Sequence, residues 1–199
     1  MRSPHPPVPD KAQLALLEPF ERLGLDRIAL VSTPEQAEQA CTQLLVSPHW
    51  GFDTESRPTF RVGEVSDGPH TVQLATAQQA WVFQLHHPEC CAQVAALLAR
   101  PGHTKAGFGL GDDRKRIQAK LGVVPADVLE LNAVFHARGY RRDMGVKAAV
   151  AVLFNRRYLK SKKAATSNWA ATHLSESQLL YAANDAWAAV RVFHALGLG

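Results

Sequence analysis

Two carboxylates stand one residue apart in the stretch Phe52-Asp53-Thr54-Glu55. Residues i and i+2 of a strand project from the same face, so Asp53 and Glu55 would lie side by side if this segment is extended. Neighbouring carboxylates repel, which raises a pKa unless a cation sits between them. An oxygen-rich pair of this kind suits Mg²⁺ or Mn²⁺. Taken alone, an Asp-x-Glu triplet reads first as a solvent-facing acidic pair at a strand end.

Tyr181 and Asp185 form a second pair, in Leu179-Leu180-Tyr181-Ala182-Ala183-Asn184-Asp185-Ala186. Their i, i+4 spacing places both on one face of a helix. That face is otherwise alanine and apolar side chains, where a carboxylate needs a partner. A phenol one turn from a metal-bound carboxylate could orient an attacking water. A buried tyrosine bonded to a structural aspartate fits the same spacing. The third group is Gly111-Asp112-Asp113-Arg114, at the start of a helix behind a turn with glycines at 107, 109 and 111. One aspartate suits an N-cap and the other can then face a cleft. The glycine spacing matches neither a dinucleotide fingerprint nor a phosphate loop.

Periodicity supplies the elements that would hold these groups. Strands are expected over residues 27–32, 49–55, 71–76, 80–85, 104–108 and 127–131. Helices are expected over 13–24, from Thr33-Pro34 to Pro48, and over 88–98, 113–121, 146–154 and 175–196. Residues 56–70, rich in Pro, Gly and Ser, read as a loop or a loosely paired hairpin. Strands mixed with helices, then mostly helices, indicate one α/β domain.

At 199 residues the chain is long enough for one domain with a real core. We expect a disordered, proline-rich leader over 1–12 and a single domain over 13–199. No apolar run approaches the ~20 residues of a membrane span, and the leader lacks a signal peptide's apolar centre. A cytoplasmic protein with no membrane partner is the expectation. Cys41, Cys90 and Cys91 show neither a disulfide framework nor zinc spacing, and read as buried thiols in a reducing compartment. The formal charge of +4 is compatible with a polyanionic partner. Basic residues cluster at 114–116, 138–142 and 156–163, each of which read singly is a solvated face.

In order and surroundings, the three segments resemble the three motifs of the DEDD superfamily of 3′–5′ exonucleases. Motif one is Phe52-Asp53-Thr54-Glu55 with Arg57-Pro58, and motif two is Lys105-Ala106-Gly107-Phe108-Gly109-Leu110 through Asp113. Motif three is Leu174-Ser175, Gln178, Tyr181-Ala182-Ala183 and Asp185-Ala186. The similarity is to the branch with tyrosine in motif three, typified by the Werner syndrome exonuclease domain and ribonuclease D. The histidine branch would want His five residues before Asp185, where Leu180 stands. Val72-Gln73-Leu74-Ala75 and Thr166-Ser167-Asn168-Trp169 resemble the Werner-like side more closely.

The resemblance implies a ribonuclease H-like α/β fold: a mixed five-stranded sheet, one strand antiparallel, flanked by helices. It implies Asp53, Glu55, Asp113 and Asp185 as ligands of two ions, Mg²⁺ or Mn²⁺. Asp113 is preferred to Asp112 on the glycine-to-aspartate spacing, and Tyr181 becomes the residue that orients the water. The implied reaction removes nucleoside 5′-monophosphates from a single-stranded or recessed 3′ end. Thr54, Arg57, Lys105, the 156–163 segment and Trp169 are candidate nucleic-acid contacts, although core packing is the first reading for Trp169. The chain ends at Gly199, where ribonuclease D carries further helical domains, so DNA is the favoured substrate. RNA 3′-end trimming of the ribonuclease D type, and an inactive nucleic-acid-binding module, are the alternatives.

Overall fold

The computed structural model describes residues 5–59 and 67–199. Its centre is a sheet built from β1 (Ile28–Val31), β2 (His49–Glu55), β3 (Thr71–Ala75), β4 (Ala80–Gln84), β5 (Thr104–Gly107) and β6 (Val128–Glu130). The strand order is β1-β4-β3-β2-β5-β6. Only β3 runs antiparallel to its neighbours, and all other pairs are parallel. This is the mixed, ribonuclease H-like arrangement, with six strands rather than five. The added strand is the three-residue β6, which pairs with β5 at the sheet's edge from Lys105↔Val128 to Gly107↔Glu130.

Every residue of β3 and β4 is buried, because both faces of the sheet are covered. One face carries Trp50, Phe52, Val72, Leu74, Trp81 and Phe83. It packs against α2 (Pro34–Leu44), α3 (Pro88–Ala99) and α4 (Gly111–Leu121), through residues such as Leu44, Val94, Leu98 and Ile117. The opposite face, with Ala75, Ala80, Val82 and Ala106, receives α8 (Glu176–Ala195).

A capping box starts α8: Gln178 N–H donates to the Ser175 side chain, and the Gln178 side chain accepts the Ser175 N–H. The middle of the helix is small: Ala182, Ala183, Ala186, Ala188 and Ala189 are all buried. Small side chains let the helix backbone approach the sheet, and β2 answers with Gly51. A Cβ on Gly51 would lie 1.8 Å from the Ala186 carbonyl oxygen. The remaining helices, α5 (Leu131–Ala137), α6 (Gly145–Phe154) and α7 (Lys162–Ala165), complete the α8 side. Among the described residues, no helix is long and apolar enough to cross a membrane.

One expected segment differs. The helix expected over 13–24 is shorter and starts earlier, as α1 (Lys11–Leu16) capped by Asp10. Pro19 breaks it, since proline lacks the N–H that a helix interior uses and biases its predecessor towards extended backbone. The chain there instead makes a bridge to Arg157, with Phe20 N donating to Arg157 O at 2.9 Å and Arg157 N to Glu18 O at 2.8 Å. Of the leader, His5 and Pro6 rest on Tyr140: the His5 and Tyr140 rings stand 4.4 Å apart, and the Tyr140 hydroxyl donates to Pro6 O. Residues 1–4, and residues 60–66 of the expected loop, lie outside the described residues.

Gly51→Val should therefore prevent α8 from seating on β2. Overpacking of this kind costs about 3 kcal/mol or more, which urea unfolding followed by circular dichroism will read as a lowered midpoint or loss of the folded state.

Candidate active site

Alternation along β2 places Asp53 and Glu55 on the α8 side of the sheet, the same side as Gly51. Because Ala186 touches Gly51, the residue before it, Asp185, is delivered to the two strand carboxylates. One carboxylate oxygen from each of Asp53, Glu55 and Asp185 lies within 4.8 Å of the others. The contact that docks the helix is thus also the contact that assembles the acidic cluster.

Asp113 arrives from the other side. It sits in the first turn of α4 and is half-buried, and its Oδ1 accepts a hydrogen bond from the Thr54 hydroxyl. Thr54 alternates with Asp53 and Glu55 and points away from them, so Asp113 stays outside the group of three. Its charge still reaches both Asp53 and Glu55. Asp112 is exposed and pairs with Lys115 at 3.5 Å.

Neither aspartate caps α4. Its N-cap is Leu110, and the free amides of the glycine turn go to Glu130. Gly109 N donates to Glu130 Oε1 at 3.0 Å and Leu110 N to Oε2 at 2.7 Å, while Asn132 N also donates to Oε1. Gly109 itself has φ +73°, a conformation that favours glycine. Glu130 therefore fixes the turn that aims Asp113. Nothing in local spacing announces it, because donors and acceptor are about twenty residues apart.

Asp185 has two partners that its own helix does not supply. The Tyr158 hydroxyl donates to Oδ1 at 2.6 Å, and the Lys160 ammonium lies 2.6 Å from Oδ2. The phenol bonded to Asp185 is thus Tyr158. The Tyr181 ring, for its part, lies 5.9 Å from the buried Trp169 ring and 4.9 Å from the Lys160 ammonium. Lys160 was visible in the sequence only as one cation of a basic run, and Tyr158 carried no signal at all.

The other sequence-derived nucleic-acid contacts scatter. Lys105 is not available to a phosphate: it is fully buried, donates to Arg100 O at 2.5 Å and lies 5.3 Å from the Trp50 ring. Alternation along β5 turned it into the core, where burial lowers its pKa to about 8 against the opposing pull of Asp127. Trp169 is a core residue, only 1% exposed. The Thr54 hydroxyl is engaged with Asp113. Arg57 is exposed and pairs with Asp67 at 3.3 Å.

The crowding shows in the electrostatics. Burial, then Glu55, Asp185 and Asp113, push the Asp53 carboxyl well above the usual range, with Lys160 opposing. Burial and then Asp185 push Glu55 up to about 8. Burial also raises Asp113, opposed by the Thr54 hydroxyl and Arg116. Burial works against a charged Lys160, yet Asp185, Tyr181 and Asp53 hold its pKa above the lysine range. Burial and Asp185 push the Tyr181 phenol up to about 12. Clustered carboxylates with too little positive charge, all offering oxygen, are the donor set of a hard divalent cation. Asp53, Glu55 and Asp185 are the residues placed to hold one.

Two cavities meet at this point. One of about 190 Å³ is lined by Phe52, Asp53, Phe108, Val146, Lys160 and Asp185. The other, about 540 Å³, is lined by Arg22, Tyr158, Lys160, Tyr181, Asn184 and Asp185 among others. Lys160 and Asp185 are common to both walls.

An α/β sheet of this order, with an acidic cluster between a central strand and the last helix, is a ribonuclease H-like arrangement. Residues 28–198 match the family model described as 3′-5′ exonuclease, and the chain belongs to that family. A 3′-5′ exonuclease of Arabidopsis thaliana is 28% identical over 148 residues, 73% of this chain and 51% of that protein. The mouse bifunctional 3′-5′ exonuclease/ATP-dependent helicase WRN is 27% identical over 150 residues, 74% of this chain and 11% of that protein. The chain therefore spans about half, or far less, of the lengths of these relatives. The solved Trypanosoma brucei RNase D in complex with RNA U12 shares the fold, with a TM-score of 0.75 at 18% identity, covering 93% of this chain and 64% of that one.

A carboxyl whose pKa is raised on folding stabilises the fold only while protonated. For Glu55 that contribution is complete below the ordinary value of 4.5 and is lost as pH rises through about 8. In EDTA, thermal melting should accordingly fall between pH 5 and 9, and Glu55→Gln should flatten the curve.

Proposed function

We propose that this chain hydrolyses the terminal phosphodiester at the 3′ end of a nucleic acid, releasing nucleoside 5′-monophosphates with the help of two divalent cations, Mg²⁺ or Mn²⁺. The observation that carries the reading is the convergence of Asp53, Glu55 and Asp185, in a chain of the 3′–5′ exonuclease family. Asp53, Glu55 and Asp185 are the ligands on the α8 side, and Asp113 joins them from α4. Bound there, the ions supply Lewis acidity, making water a better nucleophile and neutralising charge at the leaving 3′-oxygen.

The protein groups do the rest. Tyr181, with its pKa raised to about 12, keeps its proton at neutral pH. It serves as a hydrogen-bonding group that orients the water rather than as a base that accepts a proton. Tyr158 fixes the plane of Asp185 through Oδ1 and leaves Oδ2 for a cation. Arg57, exposed beside motif one, offers charge to the phosphates that precede the scissile one.

DNA with a single-stranded or recessed 3′ end is the proposed substrate, on the resemblance of Val72-Gln73-Leu74-Ala75 and Thr166-Ser167-Asn168-Trp169 to the Werner-like side. RNA is the second reading, favoured by a protein of the same fold solved with RNA U12. Incubation with 5′-labelled single-stranded DNA, recessed duplex DNA and RNA, in Mg²⁺ and in Mn²⁺, decides between them. A ladder shortening from the 3′ end on DNA is expected, abolished by EDTA. A ladder on RNA alone would replace the DNA reading, and none on any substrate would end the exonuclease reading.

Asp53→Ala, Glu55→Ala and Asp185→Ala should each reduce cleavage to background while the protein remains folded by circular dichroism. Asp113→Asn should do the same and Asp112→Asn should not, since only Asp113 faces β2. Tyr181→Phe should slow single-turnover cleavage roughly 10²-fold with metal binding nearly unchanged.

A further inference from the structure

Lys160 stands where a metal-binding carboxylate cluster would not be expected to keep a cation. Its ammonium is 2.6 Å from Asp185 Oδ2 and 4.9 Å from the centre of the Tyr181 ring. Among the described residues, it is the cation whose charge offsets both Asp53 and Glu55. We propose that Lys160 is the resident counter-ion of this cluster and a catalytic residue. Its ammonium competes with a divalent cation for Asp185 and, once displaced, turns to a non-bridging oxygen of the scissile phosphate. This rests on the exonuclease reading.

Three features carry the inference. Asp185 does not depend on Lys160 for its place, because Tyr158 holds Oδ1 at 2.6 Å and Oδ2 alone is exchanged. The lysine side chain is partly exposed and lies in the stretch between α6 and α7, outside any helix. It borders both cavities, so rotation of its flexible stem carries the ammonium from Asp185 across the Tyr181 face without a backbone change. The ring is a cation–π platform along that path. No proton is transferred: the ammonium neutralises phosphate charge in the transition state, as fixed cations do at transferring phosphoryl groups.

A lysine that merely oriented Asp185 would weaken metal binding when removed. A competing lysine does the reverse. Lys160→Met and Lys160→Arg are compared with the wild-type chain by Mn²⁺ titration calorimetry without nucleic acid, and by thermal melting in EDTA and in Mn²⁺. Single-turnover cleavage of a 5′-labelled oligonucleotide is followed at saturating Mn²⁺. Lys160→Met should bind Mn²⁺ on the order of tenfold more tightly, melt lower in EDTA, gain more from Mn²⁺ than the wild type, and cleave more slowly even when saturated. Unchanged or weaker Mn²⁺ binding, or wild-type cleavage at saturation, overturns the proposal.

If Lys160→Met does not fold, Lys160→Arg decides. It keeps the charge, so its Mn²⁺ affinity should stay near wild type while cleavage falls, because a guanidinium cannot follow the same path. Weaker Mn²⁺ binding or undiminished cleavage would overturn the proposal there too. Should the wild-type chain cleave nothing, the exonuclease reading and the phosphate role both fail. The Mn²⁺ titration then still accepts or rejects competition at Asp185.

Discussion

The backbone of α8 lies directly on the backbone of β2, at Ala186 and Gly51, and most of the molecule is arranged around that contact. It requires a strand residue with no side chain and a helix face of alanines, and the sequence supplies both. Because Asp53 and Glu55 follow Gly51 on the same face and Asp185 precedes Ala186, close packing and the convergence of three carboxylates are one event. Along the central strands the large residues, Trp50, Phe52, Leu74 and Phe83, are accordingly kept to the opposite face, where they give α2, α3 and α4 a thick apolar floor. Hydrophobic packing on one side thus holds rigid a strand whose other side is electrostatically unfavourable.

That unfavourable side resembles the strain seen at many functional sites. Burying neighbouring carboxylates raises the free energy of the charged state, and among the described residues the compensation comes from Lys160, from Arg116 near Asp113, and from two hydroxyls. Thr54 and Tyr158 each donate to one carboxylate oxygen, which fixes geometry without removing negative charge. A site that is held in place by neutral donors but left short of positive charge is prepared for a cation from solution. Lys160 sits at the balance point, relieving repulsion through the one Asp185 oxygen that Tyr158 leaves open.

Much of this was legible in the chain. The period-2 pattern around Asp53 and Glu55, the i, i+4 pair at Tyr181 and Asp185, and the helix start at Thr33-Pro34 all follow from local rules, and the structure agrees with them. Strand segments were also legible, including the short β6 that makes the sheet six-stranded. Where local rules misled, a long-range contact had taken over. The helix expected to run to residue 24 stops early because Pro19 and Phe20 pair with Arg157. Neither Asp112 nor Asp113 caps α4, whose N-cap is Leu110 while Glu130 holds the amides of the turn before it, and Lys105, polar by type, is buried by strand alternation.

What the sequence by itself determined was the set of reactive groups and the family they resemble, since residue type and spacing encode which side chains share a face. It could not assign partners across the fold. That Tyr158 rather than Tyr181 bonds Asp185, that Glu130 fixes the turn before Asp113, and that Lys160 leaves its basic neighbours for the carboxylate cluster depend on segments 20 or more residues apart. Those pairings exist only once the segments have packed, because hydrogen bonds and ion pairs act over a few ångströms and no local pattern records which distant groups the packing will bring within that reach.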